Sequence, residues 1–194
     1  MRVIAGEAKG RKLLHVAGTT TRPITGRVKT ALFDILGSQI EGARFLDLFA
    51  GTGSVGIEAL SRGAGKVVFV DRSRKAIDTV RRNLNTTGLG ERAEVVRKDA
   101  FRFIHIAPVS LLFDYIYVAP PQYRDLWAKT LLALHDRPLV ARDGLIIVQI
   151  HPKEFHPIDA PRLQLVEERR YGSTRLCFYQ HRSLSATAPS HDES

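Results

Sequence analysis

Residues 47–56 read DLFAGTGSVG, and no other stretch constrains the fold as strongly. Gly51, Gly53 and Gly56 fit the spacing G-x-G-x-x-G. The apolar run RFLDLF before them reads as a buried strand, and SVGIEALSRG after them reads as a helix stopped at Gly63. Asp71 closes the next apolar run, KVVFV, 20 residues after Gly51. Glycines let the backbone turn sharply and approach a ligand, and an acid at this distance can accept both hydroxyls of a ribose. The glycine pattern alone could arise from any tight strand-to-helix turn. Strand, loop, helix and acid together point to a nucleoside site.

From residue 45 the chain alternates. After the second strand comes SRKAIDTVRRNLNTTG, a helix with Ala76, Ile77, Val80 and Leu84 inward and a basic outer face. AEVVRK, FDYIYV and GLIIVQI read as the third, fourth and fifth strands, with the helix RDLWAKTLLALH between the last two. Such alternation predicts an α/β fold with a parallel sheet and helices on both faces. The segment LQLVEERRYGSTRLCFYQ breaks the rhythm: two strands joined by YGST predict an antiparallel hairpin closing one sheet edge. At the other end of the chain, RVIAG and KLLHV flanking EAKGR predict a basic β-hairpin. In GRVKTALFDIL (26–36), Val28, Ala31, Leu32, Ile35 and Leu36 recur at helical spacing, with Thr25 as N-cap and Gly37 as stop. The expectation is one domain over 1–182, made of a basic hairpin and helix (1–37) and a Rossmann-like core (38–182), with a disordered polar tail over 183–194.

The charge pattern narrows the partner. The net charge of +9 suggests a polyanion, nucleic acid above all, although a generic basic surface would give the same sum. Residues 1–37 hold Arg2, Lys9, Arg11, Lys12, Arg22, Arg27 and Lys29 against Glu7 and Asp34. The lone Cys177, inside an apolar run, reads as a small core residue, and nothing suggests an oxidising compartment. No apolar run approaches the roughly 20 residues of a membrane span, and the first residues lack a signal peptide's apolar core. The expectation is a soluble cytoplasmic protein.

Three acids discriminate among nucleosides. A nicotinamide site needs the helix N-terminus free for a pyrophosphate, yet Asp47 stands four residues before the first glycine. A carboxylate there repels phosphate and suits a cationic ligand bearing an amino group, such as S-adenosylmethionine. The alternative is that Asp47 only accepts from loop amides. Asp99, after the third strand, can accept from an adenine amine. Asp47, Asp71 and Asp99 then line the carboxyl edge of the sheet, where open α/β folds bind ligands.

The fourth strand ends in APPQY, residues 119–123. Pro120 and Pro121 remove two donors and fix two φ angles. They make a stiff ledge, either as a strand terminator with Tyr123 in the core or as a platform for a substrate.

Over residues 1 to about 181 the chain resembles the RsmD-type family of bacterial small-subunit ribosomal RNA guanine-N2 methyltransferases, which are class I S-adenosylmethionine-dependent enzymes. RVIAGEAKGRKL, TRPITGRVKTALFDIL, FLDLFAGTGSVGIEALSRGA, VFVDRS, KDAF and RRYGSTRLCFY carry the resemblance. The glycine loop belongs to all class I methyltransferases, whereas the TRP segment with its helix and the YGST hairpin are more specific. The resemblance implies a seven-stranded sheet ending in the antiparallel hairpin. It implies that Asp47 with Phe49, Ala50, Gly51 and Gly53 holds the methionine part of the cofactor, Asp71 beside Arg72 the ribose, and Asp99 with Ala100 the adenine. It places Lys9, Arg11, Lys12, Arg22 and Arg27 toward ribosomal RNA or an assembling small subunit. The further expectation is a monomer that uses no metal and no membrane.

The family also has Asp or Asn, then Pro-Pro, then Tyr or Phe after the fourth strand. Here the catalytic ledge reads Ala119, Pro120, Pro121, Gln122 and Tyr123, without the usual side-chain acceptor and with the aromatic one place late. Backbone carbonyls of Ala119 and Pro120, the amide of Gln122 and the ring of Tyr123 would then hold the target base. Other readings of the chain are a cofactor- and RNA-binding protein with weak or no activity, a methyltransferase of DNA or protein, and, less compatible with Asp47 and the closing hairpin, a nicotinamide oxidoreductase.

Overall fold

The computed structural model describes residues 1–18 and 24–182. Seven strands form one sheet: β1 (Arg44–Asp47), β2 (Lys66–Asp71), β3 (Ala93–Arg97), β4 (Phe113–Val118), β5 (Val140–Ile150), β6 (Leu163–Tyr171) and β7 (Thr174–His181). Their spatial order is β3-β2-β1-β4-β5-β7-β6. The first five pair in parallel, and β7 pairs antiparallel with both β5 and β6. The C-terminal hairpin is therefore as the sequence implies. The order reverses direction between β1 and β4, so the chain opens a crevice at their carboxyl ends.

Among the described residues, five α-helices cover the sheet: α1 (Gly26–Leu36), α2 (Ser54–Ser61), α3 (Arg74–Thr87), α4 (Ala100–Ile106) and α5 (Leu126–Asp136). Side chains alternate across a strand, and the core divides accordingly. Phe45, Val67, Phe69, Tyr115, Tyr117 and Ile147 face α1, α2 and α3. Leu46, Val68, Val70, Ile116, Val118, Ile146 and Val148 face α4 and α5. Complete burial of rings such as Phe45 and Phe69 contributes about 1.5–3 kcal/mol each. The caps are local: the Thr25 hydroxyl accepts from Val28 N at 3.3 Å, and Asp99 accepts from Phe101 N and Arg102 N at 3.0 and 3.3 Å. Helix α4, only seven residues long, is one the sequence pattern did not mark.

The N-terminal segment departs from the expected β-hairpin. Its two arms pair only briefly, around the antiparallel bridge of Arg2 with Lys12, through Leu13 N to Met1 O, Val3 N to Arg11 O and Gly10 N to Val3 O at 2.9, 3.0 and 2.9 Å. The cause is a competing acceptor. Ile4 N and Ala5 N donate to the Glu58 carboxylate at 2.9 and 3.0 Å, so they leave the ladder for α2. The turn then seats on the end of α2: Glu7 N donates to Ser61 O at 2.8 Å, and Ala8 N to Ser61 Oγ at 3.0 Å. Gly6, at φ +82°, passes so close that a Cβ there would lie 1.7 Å from Ser61 O.

Candidate active site

A cleft of about 710 Å³ runs along the carboxyl ends of β2, β1, β4 and β5. Asp47, Phe49, Ala50, Gly51, Asp71, Arg72, Asp99 and Ala100 line one half, and Ala119 through Tyr123 line the other. Gly53 does not line it. At φ +74°, Gly53 turns the loop, and its N–H donates to Ala50 O at 2.7 Å. Gly56 serves packing, since a Cβ there would lie 2.3 Å from the Phe69 ring.

Asp47 is 1 % exposed. Its Oδ2 accepts from Gly56 N at 3.2 Å, while its Oδ1 is buried with no partner among the described residues. Burial, reinforced by the nearby Asp71 charge, pushes its carboxyl up to about 7, against the Gly56 bond that lowers it. A loop-amide role thus occupies only one oxygen. The orphaned one fits a ligand ammonium, which would satisfy it and restore its charge.

Asp71 is already engaged by the loop that it supports. Its Oδ2 accepts from Gly51 N at 2.9 Å and its Oδ1 from Ser73 N at 2.8 Å. Each carboxylate oxygen has a second lone pair, and the side chain is only half-buried. Ribose hydroxyls can therefore still be accepted. Asp99 likewise has one oxygen on the α4 amides and sits exposed beside the cleft, and Arg72 is exposed next to Asp71.

On the other half, β4 ends at Val118, so the Ala119 and Pro120 carbonyls lie past the ladder. Tyr123 is 68 % exposed, which excludes a core role. Its backbone is left-handed, at φ +60°, and Asp125 follows at φ +53°. Both strained residues are tied to the segment after β5. Tyr123 N donates to Glu154 Oε1 at 2.6 Å, and Asp125 meets His156 at 2.8 Å. The Tyr123 ring stands 5.9 Å from the His151 ring. At the cleft floor the Tyr117 hydroxyl donates to Gln149 Oε1. Sequence reading missed Glu154, Tyr117 and Gln149, because contacts between segments distant in the chain are invisible in local pattern.

Of the cations expected to face RNA, none that is described lines the cleft. Lys9, Arg11, Lys12 and Arg27 are exposed but line none of it. Arg22 lies outside the described residues. The N-terminal segment runs along α2, with Met1 Sδ 4.0 Å from the Thr52 hydroxyl at the loop end and Glu7 at the Ser61 end. Lys29, counted with the surface cations, is buried instead: its ammonium lies 3.0 Å from Glu58 and 3.2 Å from Ser54 Oγ. The signal was present, since position 29 shares a helix face with Leu32, Phe33 and Leu36. Asn83 ties the same region to the loop. It exchanges bonds with Leu14, at 2.7 and 3.2 Å, and donates to Thr52 O at 2.9 Å.

Residues 1–180 match the family model described as conserved hypothetical protein 95. The chain belongs to this family. YlbH of Bacillus subtilis (strain 168) is 44% identical over 185 residues, covering 94% of this chain and 100% of that protein. The ribosomal RNA small subunit methyltransferase D of Escherichia coli (strain K12) is 33% identical over 180 residues, covering 93% and 89%. The solved structure of yhhF from Escherichia coli superimposes with a TM-score of 0.82 at 32% identity, covering 94% of this chain and 98% of that one. The sheet order and the antiparallel end are thus those of a methyltransferase family.

Proposed function

We propose that the protein transfers a methyl group from S-adenosylmethionine to the N2 amine of a guanine in small-subunit ribosomal RNA. One observation carries this: a single cleft joins the acid-lined glycine loop to the Pro120–Pro121 ledge, so a cofactor half and a base half share one space. The name of the Escherichia coli relative supplies the substrate class. S-adenosylmethionine supplies an activated methyl on a sulfonium, so no strong base is required.

The chain's own residues hold and orient. Asp47 accepts an ammonium, the 49–53 loop shapes the cradle, Asp71 and Arg72 face a ribose, and Asp99 with Ala100 faces an adenine. The guanine amine is a poor nucleophile because its lone pair is delocalised into the ring. Acceptors for its hydrogens let it pyramidalise, and the Ala119 and Pro120 carbonyls, held still by the prolines, fill that role where a side-chain acceptor is missing. The base must leave its stack at a few kcal/mol, and the exposed Tyr123 ring offers the face to receive it. Gln122, exposed on the cleft wall, can offer its amide oxygen.

The test is incubation with labelled S-adenosylmethionine and, in parallel, naked small-subunit RNA, assembled subunits and DNA, with nucleoside mass spectrometry of the product. Label in N2-methylguanosine of the RNA or the subunit supports the reading. Label confined to DNA, or binding of cofactor and RNA with no transfer, overturns it.

A further inference from the structure

Three neighbouring strands carry polar side chains on one sheet face at their carboxyl ends. Asp47 and Tyr117 are register partners across β1 and β4. Tyr117 pairs with Ile147, and Gln149 lies two residues on, hence on the same face of β5. All three line the cleft, and Gln149 follows Val148, the register partner of Val118, which places it next to Ala119 at the base half. Tyr117 is buried, and burial together with the Asp47 charge keeps its hydroxyl protonated. A buried hydroxyl needs an acceptor, and it donates to Gln149 Oε1. This orients the amide. Its oxygen is turned toward Tyr117, and its Nε2 has no partner among the described residues.

We propose that Gln149 reads the target base, donating through Nε2 to N3 of the guanine. The inference rests on the guanine-N2 reading above. Two ring positions flank the guanine amine: N1–H, a donor, and N3, an acceptor. With the amine at the Ala119–Pro120 ledge, backbone carbonyls suit N1–H, and a protein donor on the adjoining strand suits N3. No other base offers this order. An adenine amine is flanked by two acceptors, and a cytosine amine by one acceptor and a C–H. Tyr117 is the positioning residue, since without its hydroxyl the amide is free to turn its oxygen toward the base.

Gln149→Glu keeps the shape and still accepts from Tyr117, but turns a repelling acceptor toward N3. The experiment measures kcat/KM for methyl transfer to small-subunit RNA, naked or assembled as the wild type requires. The RNA carries either guanosine or 3-deazaguanosine at the methylated position. Gln149→Glu should lose about tenfold or more on guanosine and nothing further on 3-deazaguanosine, which lacks N3. Cofactor affinity should be unchanged. Gln149→Leu should show the same pattern with a smaller loss. Because each variant is compared with itself on two substrates, partial unfolding cancels. Equal loss on both substrates, or no loss on guanosine, overturns the inference while leaving the proposed function intact. Absence of N2 methylation by the wild type overturns both.

Discussion

The Lys29 ammonium and the Glu58 carboxylate meet at 3.0 Å with 2 % and 0 % of their side chains exposed. Glu58 also accepts from Arg62 Nε at 3.0 Å and from Ile4 N and Ala5 N. One carboxylate therefore fastens α1 and the N-terminal segment to α2, whose first residue, Ser54, follows the glycine loop. Removing one partner of a buried pair costs about 3–5 kcal/mol, because the other charge is left uncompensated. Glu58→Ala should lose stability of that order in urea unfolding. Lys29→Met should lose less, since Glu58 keeps Arg62 and two amides. Equal small losses would show that the pair is solvated.

Gly6→Ala tests the docking of the N-terminal turn. The position combines φ +82° with contact against backbone, which cannot swing aside. The substitution should cost more than about 1 kcal/mol, with raised hydrogen exchange at Glu7 and Ala8, whose amides bond Ser61. Unchanged exchange at those two amides would mean that the turn is not held there.

Asp47 makes stability and cofactor affinity depend on pH in opposite senses. Its folded carboxyl is raised from 3.8 to about 7. Between those values the folded state keeps a proton that the unfolded chain has lost, so stability falls as pH rises from about 4 through about 7. Asp47→Asn should remove that decline, making the free protein more stable than wild type at pH 8 and little different at pH 4. Affinity for S-adenosylmethionine should rise through the same window in wild type, as the carboxylate forms, and should be lower and flat in Asp47→Asn. Calorimetry at a series of pH values checks both slopes.

The exposed N-terminal cations should bind RNA by counterion release. If Lys9, Arg11, Lys12 and Arg27 each neutralise one phosphate, log affinity should fall against log salt with a slope of roughly −2.8 to −3.6. Reversing the charge at Lys9, Arg11 and Lys12 should flatten the slope and leave cofactor affinity unchanged, because none of the three lines the cleft. Lys29→Met should leave the slope alone, because its ammonium is already paired with Glu58.

What the sequence showed and what it hid have separate physical origins. Strand β4 (Phe113–Val118) and helix α1 (Gly26–Leu36) fell where apolar periodicity and caps put them, because both signals are local. The acids at 47, 71 and 99 reached one edge because parallel strands share a direction. The N-terminal ladder stops after Val3 because Glu58, more than 50 residues away, takes the Ile4 and Ala5 amides from the facing arm. Glu154 lies 31 residues from Tyr123, and only the fold brings its carboxylate to that N–H.

That last contact decides how Tyr123 should behave. A non-glycine residue at φ +60° is strained, and such strain persists only where neighbours impose it. Here Glu154 Oε1 holds the Tyr123 amide at 2.6 Å, while Glu154 Oε2 is itself fixed by His151 N at 3.2 Å. The side chain gains little from this, remaining 68 % exposed on the cleft wall beside the prolines. A strained, solvated aromatic is explained if it stacks on a base, a contact worth about 1–3 kcal/mol. Tyr123→Ala should therefore lower kcat/KM on RNA by roughly five- to 150-fold, with S-adenosylmethionine affinity and unfolding midpoint unchanged. Tyr123→Phe should retain activity, because the ring and not the hydroxyl stacks. Tyr123→Gly should match Tyr123→Ala in activity while tolerating the left-handed backbone, which separates loss of the ring from loss of the loop's conformation. Normal methylation by Tyr123→Ala would leave the strain at this position without a role in base binding.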